Sequence, residues 1–332
     1  MSEMRVGVVG ASGFTGALAA ELVWRHPRLE LAAATARAEA GTPLAKLYPR
    51  YRAPVVFTEL DLEAAADWDA ALVAYPHGAA APVVAELRRR DVAVVDLSAD
   101  FRLRDREVYE RWYGEHPAFD LAGEAAYGLT ELNREAVAAS KLVANPGCYP
   151  TATLLALAPL AEQGLVEDVV VDAKSGVSGA GRGGGERNHF VSVDENFTPY
   201  GTDGHRHEPE IAQELAALGA DAPLTFVPHL LPLDQGELVS CYVRPARELS
   251  KDDMRELFFG RYEGEAFVEL VDDPPGVREV RDTNLCRIHA TLDRAGRPMV
   301  FAAIDNLWKG AAGQAIQNLN LILGFEETEG LS

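Results

Sequence analysis

Cysteine is scarce in this chain. Only three residues of 332 are cysteine, Cys148, Cys241 and Cys286, and no two stand at CxxC spacing. An odd count without that spacing argues against a disulfide framework and against a zinc knuckle. Long apolar runs are missing too: none approaches the roughly 20 residues that a membrane-spanning helix needs. The opening MSEMRVGVVG enters a strand directly, with no basic region ahead of an apolar one. The expectation is a cytoplasmic protein with no membrane partner. Positive charge is the third shortage. Lys and Arg total 31 against 51 Asp and Glu, a formal net charge of -20, which argues against nucleic acid or an anionic membrane surface as partner. An anionic ligand would need local Arg, Lys or helix N-termini acting against that field.

What is present is a globular composition, 48% hydrophobic and 25% charged, and enough chain for two domains. RVGVVG (5–10), LELAAAT (29–35), AALVAY (70–75), VAVVDLS (92–98) and KLVANPG (141–147) read as short, continuously apolar strands, as buried parallel strands do. Helical stretches at 15–26 and 79–90 alternate with them. The pattern predicts an α/β fold, a Rossmann-type doubly wound parallel sheet over 1–147. After about residue 160 the strands lengthen, with a hairpin turn at DRAG (293–296). A second, α+β domain with a mostly antiparallel sheet is expected over 148–305. A closing helix over 306–323, with Trp308, Ala312, Ala315, Leu319 and Ile322 on one face, is expected to pack back onto the first domain.

Four stretches carry candidate chemistry. GASGFTG (10–16) follows the first strand and opens a helix, the position in which Gly10, Gly13 and Gly16 admit a dinucleotide pyrophosphate. The second strand ends with Thr35 and Arg37 where an NAD site would carry an acidic residue. A hydroxyl and a guanidinium suit a 2′-phosphate, so NADP(H) is the expected cofactor, with a solvated surface arginine as the plainer alternative for Arg37. GHRHEPEI (204–211) offers His205, Arg206 and His207 before a helix. These are a general base with an arginine for an anionic group, or structural histidines; no acidic or cysteine cluster completes a metal site. KSGVSGAGRGGGERN (174–188) is either a flexible linker or an anion cradle built on Ser175, Ser178 and Arg182. Arg102, in DLSADFRL, lies just past a strand's carboxyl end. It is placed either to meet a ligand or to pair with Asp100 or Asp105 on the surface.

Cys148 sits in LVANPGCYPTAT (142–153), at a strand-to-helix junction. Near a helix N-terminus the thiolate is favoured over the thiol; a buried small hydrophobe is the alternative. Cys241 and Cys286 fall in strands and read as packing residues.

Together, GASGFTG, YPHG, VDLSADFRL, NPGCYPTAT, KSGVSGAGR, GHRHEPEI and DNLWKGAAGQAIQNLN resemble, in order and over nearly the whole chain, the N-acetyl-gamma-glutamyl-phosphate reductase family. That family is related to aspartate-semialdehyde dehydrogenase. The resemblance implies NADPH-dependent reduction of an acyl phosphate to a semialdehyde in arginine biosynthesis, through a thioester on Cys148. His207 is the expected acid/base, with His205 as the fallback, and Arg102, Ser178, Arg182, His205 and Arg206 would meet substrate. Gly10, Ser12, Gly13, Phe14, Thr15, Gly16, Thr35, Arg37, Pro76, Ser175, Gly176 and Asn306 would meet the cofactor. A homodimer or homotetramer is expected on the same ground. The chain departs from the family pattern at Glu208, where relatives have Thr. A lysine-pathway reductase of the aminoadipyl homologue stays open, as do a cysteine hydrolase and a nucleotide-binding redox sensor. A hydrolase would not need the glycine fingerprint, and a sensor would not need the His-Arg-His cluster.

Overall fold

Near-continuous apolar strands can be buried on both faces only if helices cover both sides of their sheet, and the first half of the chain builds that arrangement. The computed structural model describes residues 3–183 and 185–331. Met1, Ser2, Gly184 of the glycine-rich stretch and Ser332 lie outside the described residues. Two compact units emerge: Met1–Pro146 with Ala311–Ser332, and Gly147–Gly310.

In the first unit, β1 (Met4–Val9), β2 (Leu29–Thr35), β3 (Ala70–Val73), β4 (Ala93–Asp96), β5 (Ala126–Tyr127) and β6 (Leu142–Ala144) form one sheet. Its order is β2-β1-β3-β4-β6-β5, with all pairings parallel. Helices α1 (Phe14–Arg25), α2 (Leu44–Leu47), α3 (Ala81–Arg89), α4 (Arg106–Tyr113) and α5 (Thr130–Ala139) lie between the strands in sequence. The strand β5 and the helices α4 and α5 lack the apolar runs that reveal the other elements. Helix α4 buries only Tyr109 and is started by Asp105, whose side chain accepts from the Glu107 and Val108 amides.

The second unit is entered by α6 (Cys148–Ala161), whose residues from Tyr149 to Ala161 are all buried. A helix apolar on every side belongs in a core, and α6 packs on β10 and β13 of the unit's sheet. That sheet contains β7 (Val166–Ser175), β8 (Thr198–Pro199), β9 (Leu224–Leu230), β10 (Glu237–Pro245), β11 (Val268–Leu270), β12 (Cys286–Leu292) and β13 (Pro298–Ile304). The order is β11-β12-β13-β10-β7-β9-β8. The β7–β9 and β11–β12 pairs are parallel and the others antiparallel. The helices α7 (Phe190–Val193), α8 (Glu208–Ala217) and α9 (Lys251–Tyr262) belong to this unit.

The closing helix starts later than its pattern implied. Asp305 accepts from the Leu307 and Trp308 amides, a π-helical turn covers Trp308–Ala312, and α10 proper is Gly313–Ile322. Its buried side also differs from expectation. Gln314, Gln317, Asn318 and Asn320 are at most 1% exposed. Within the first unit they bond to Gly128, Thr130, Glu131 and Glu327, so this face is held by amide hydrogen bonds as well as by Ala315 and Leu319.

Candidate active site

The glycine fingerprint makes its turn through backbone contact. Gly10 has φ +84°, and a Cβ on Gly16 would lie 2.3 Å from the Gly10 carbonyl oxygen. A side chain at either position would push the loop off the N-terminus of α1. The loop is anchored to β2 because the Gly10 and Ala11 amides both donate to the Thr35 carbonyl, at 3.1 and 2.7 Å. Gly13 is the N-cap residue, and no acidic side chain occupies the first turn of α1, so its amides face no competing carboxylate. Ser12 on this loop and Phe14 and Thr15 at the start of α1 are partly exposed; Tyr48 donates to the Ser12 carbonyl at 2.7 Å.

At the end of β2, Thr35 is buried and its hydroxyl finds no partner among the described residues. Arg37 is exposed, its guanidinium 4.9 Å from the Tyr75 ring centroid. Pro76 is exposed just beyond. Arg102 does not take the surface position of its plainer reading. It is buried, and its guanidinium donates to the carbonyls of Asn145 (2.7 Å) and Leu97 (2.8 Å), tying the chain after β4 to the chain after β6. Asp100 turns instead to the Gly78 and Ala81 amides and the Tyr109 hydroxyl, and so caps α3.

In the second unit, Cys148 is the first residue of α6 and half-buried, whereas Cys241 and Cys286 are fully buried in strands. Burial pushes the Cys241 thiol up to about 12, which makes it inert. The turn ahead of Cys148 is fixed by Glu210 of α8, whose carboxylate accepts from the Gly147 amide at 2.9 Å. Behind the cysteine, a Cβ on Gly310 would lie 2.8 Å from Cys148 Cβ, so only glycine fits there.

The adjacent Tyr149 is buried and organises the histidines. The His205 and His207 rings meet it edge-on, each with centroids 5.9 Å away, and lie 5.0 Å from each other. The His207 amide donates to His205 Nδ1 at 3.1 Å, which leaves that nitrogen unprotonated and puts the His205 proton on Nε2. Burial, with Arg206 adding to it, pushes His205 down to about 4. His207 is the N-cap residue of α8, and Glu208 follows in a first turn where a carboxylate is favoured. Tyr149 and Tyr200 face each other with hydroxyls 3.3 Å apart; burial pushes Tyr200 up to about 12.

The stretch after β7 is no linker up to Gly181. The Gly176, Val177 and Ser178 amides donate to Gly236, Leu233 and Asp234. Asn306 joins this group, donating to Ser178 Oγ at 3.0 Å and accepting from the Gly236 amide at 2.7 Å. Ser175 and Ser178 are buried, while Arg182 and Arg206 are exposed. Thus Cys148, Tyr149, His205 and His207 come together around the start of α6, and Ser178 with Asn306 forms a second small group. Glu210, Tyr200 and Gly310 were missed in the sequence. Glu210 alone carried a signal, standing three residues after His207 on the same helix. Among the described residues no cluster of His, Cys, Asp and Glu could hold a metal ion, and no helix is long and apolar enough to cross a membrane.

Two family models divide the chain between them, and both are halves of one class of enzyme. Residues 5–140 match the semialdehyde dehydrogenase NAD binding domain and residues 148–306 the semialdehyde dehydrogenase dimerisation domain. The fold agrees: aspartate semialdehyde dehydrogenase II from Vibrio cholerae, in complex with ASA, superposes with TM-score 0.76 at 18% identity, covering 98% of this chain and 99% of that one. Much closer in sequence are the N-acetyl-gamma-glutamyl-phosphate reductases of Halorhodospira halophila (48% identical) and Desulforudis audaxviator (46%), each alignment covering 99% of this chain and 98% of the relative. The chain belongs to the N-acetyl-gamma-glutamyl-phosphate reductase family.

Proposed function

We propose that the chain reduces N-acetylglutamyl 5-phosphate to the 5-semialdehyde and phosphate, the reductive step of arginine biosynthesis, with NADPH as reductant and a thioester on Cys148. One observation carries the mechanism: the one half-buried cysteine stands at the N-terminus of a buried helix, beside the His205–His207 pair. The positive end of α6 stabilises negative charge on the sulfur and on a neighbouring oxyanion. An acyl phosphate is already activated, so the thiolate displaces phosphate without strong acid assistance. The C–O bond to phosphate breaks as the C–S bond forms.

His207 is the acid/base. His205 is the weaker candidate, because its Nδ1 is engaged and burial keeps it neutral at working pH. Arg206, Arg182, Ser178 and Arg102 remain the candidates for the substrate's anionic groups. Of these Arg102 has the least support, since backbone carbonyls take up its guanidinium. NADPH fits the cradle of Gly10, Gly13 and Gly16, with Ser12, Phe14 and Thr15 beside them and Arg37 toward the 2′-phosphate; when bound, it supplies the hydride. Pro76 in the first unit, and Ser175, Gly176 and Asn306 in the second, are further proposed contacts. Cytoplasmic location and a homo-oligomer complete the proposal. The match to a dimerisation domain and the exposed Tyr242 and Val170, neighbours on adjacent strands of the second sheet, support the latter.

The test runs the reaction in reverse: semialdehyde and NADP, with and without phosphate, for the parent protein and Cys148→Ser. Phosphate-dependent NADPH formation in the parent alone is expected, with NADP still bound by the variant. Turnover by the serine variant, or turnover indifferent to phosphate, would sink the thioester.

A further inference from the structure

Glu237 is the first residue of β10 and is fully buried. Directly opposite residues of an antiparallel pair leave the sheet on the same face, and Glu237 stands opposite Ile304 on one side and Ser175 on the other. Along β10 the same face carries the buried Val239, Cys241 and Val243, while Tyr242 on the other face is exposed, and α6 packs on β10 and β13. A Cβ on Gly310 would touch both Cys148 Cβ, at 2.8 Å, and Ile304 Cδ1, at 3.2 Å, so the cysteine and the Glu237 ladder position share one small enclosure. Neither carboxyl oxygen has a hydrogen-bond partner among the described residues, so Glu237 is an orphaned buried acid, and besides burial the Cys148 side chain is what bears on its ionisation. Tyr149 and Tyr200 also feel its charge, and no cation faces it among these groups.

Leucine or methionine would fill this space without the cost of burying a carboxyl. A titratable group kept there against that cost marks a functional position. We propose that Glu237 is a catalytic residue that acts on the sulfur, donating a hydrogen bond from its neutral carboxyl to the Cys148 thiolate and opposing that thiolate once it ionises.

The proposal rests on the thioester reading above. Burial pushes Glu237 up to about 8, so the carboxyl keeps its proton at neutral pH. The thiol proton leaves to His207, while the carboxyl proton stays on Glu237 and is shared with sulfur. When the tetrahedral oxyanion collapses, the C–S bond breaks and its electron pair stays on sulfur. The same hydrogen bond then receives the departing thiolate. Above the carboxyl's titration, two negative charges would share the enclosure, and the sulfur and carboxyl would titrate as a pair.

Iodoacetamide labelling of Cys148, read by peptide mass spectrometry from pH 5.5 to 10, tests this without substrate or cofactor. The labelling therefore survives even if the acyl phosphate assignment fails. The parent protein should show two inflections, and Glu237→Gln a single earlier one. At pH 9 the Gln variant should label roughly tenfold faster, because a like charge in the same enclosure raises the thiol by at least about one unit. At pH 6.5 Gln should stay within about twofold of the parent, since its amide also donates, and Glu237→Leu should be several-fold slower. A single inflection in the parent overturns the proposal even if neither variant folds. So do superimposable parent and Gln profiles.

Discussion

At the scale of single residues, the site is a set of side chains whose charge is set by burial. Replacing His207 by Asn should lower kcat/KM by roughly 10²–10⁴-fold, the usual contribution of a positioned acid/base, while Cys148 labelling by iodoacetamide persists. An activity within threefold of the parent would remove His207 from the mechanism. Asp96, at the end of β4, tests burial by itself. It accepts from the Ser98 amide and hydroxyl, yet burial, with Asp100 nearby, pushes it up to about 7. Below the unfolded value of 3.8 the carboxyl is protonated in both states and costs nothing. As pH rises, the unfolded chain ionises first, so stability falls until the folded carboxyl also ionises near 7. Asp96→Asn should therefore be more stable than the parent at pH 8.5, by at most about 4 kcal/mol, with the gap closing toward pH 4. Urea midpoints that differ equally at both ends of the range would show a packing effect instead.

At the scale of elements, the continuous apolar strands and the two glycine-marked turns were legible because their signals are local. Gly10 and Gly13 fall between β1 and α1 with Gly16 in that helix's first turn, and Cys148 opens α6 soon after β6. Helix α4, strand β5 and the amide-lined side of α10 were not legible. What buries Gln314 and Asn318 is the set of partners at Gly128 and Thr130, far away in sequence. Glu237 was hidden for the same reason: only the register of β10 against β7 and β13 turns it toward the cysteine's helix. Arg102, also just past a strand end, is buried and bonds to backbone carbonyls there, which its position in the sequence does not foretell. The end of β2 gives an element-scale prediction. Arg37→Asp puts a like charge where a 2′-phosphate would lie, so it should weaken NADPH by tenfold or more and NADH little, as one lost charge-assisted contact is worth about 1.5–3 kcal/mol. Equal changes for both cofactors in a titration would mean that Arg37 only covers Tyr75.

The whole molecule carries twenty more negative than positive side chains (51 against 31), and this excess acts on stability as well as on ligands. Like charges spread over a folded chain repel one another over distances set by the Debye length, about 30 Å at 0.01 M salt and about 8 Å at 0.15 M. The surface ion pairs are far shorter. Arg287 reaches Glu269 at 2.7 Å and Glu279 at 2.6 Å, and Lys141 reaches Asp91 at 2.6 Å, well inside the screening length at either salt concentration. Raising salt from 0.01 to 0.15 M therefore removes the repulsion between distant carboxylates while leaving most of each pair's attraction in place. Exposed pairs contribute only about 0–1 kcal/mol each in any case. Unfolding relieves the same repulsion by moving the charges apart, so screening favours the folded chain. The first thermal transition should rise by several degrees over this range at pH 7.5 and by much less between 0.15 and 0.3 M. At pH 5, near the sequence pI of about 4.8, the rise should largely vanish. A transition indifferent to salt at pH 7.5, or equally sensitive at pH 5, would show that net charge does not limit the stability of this protein.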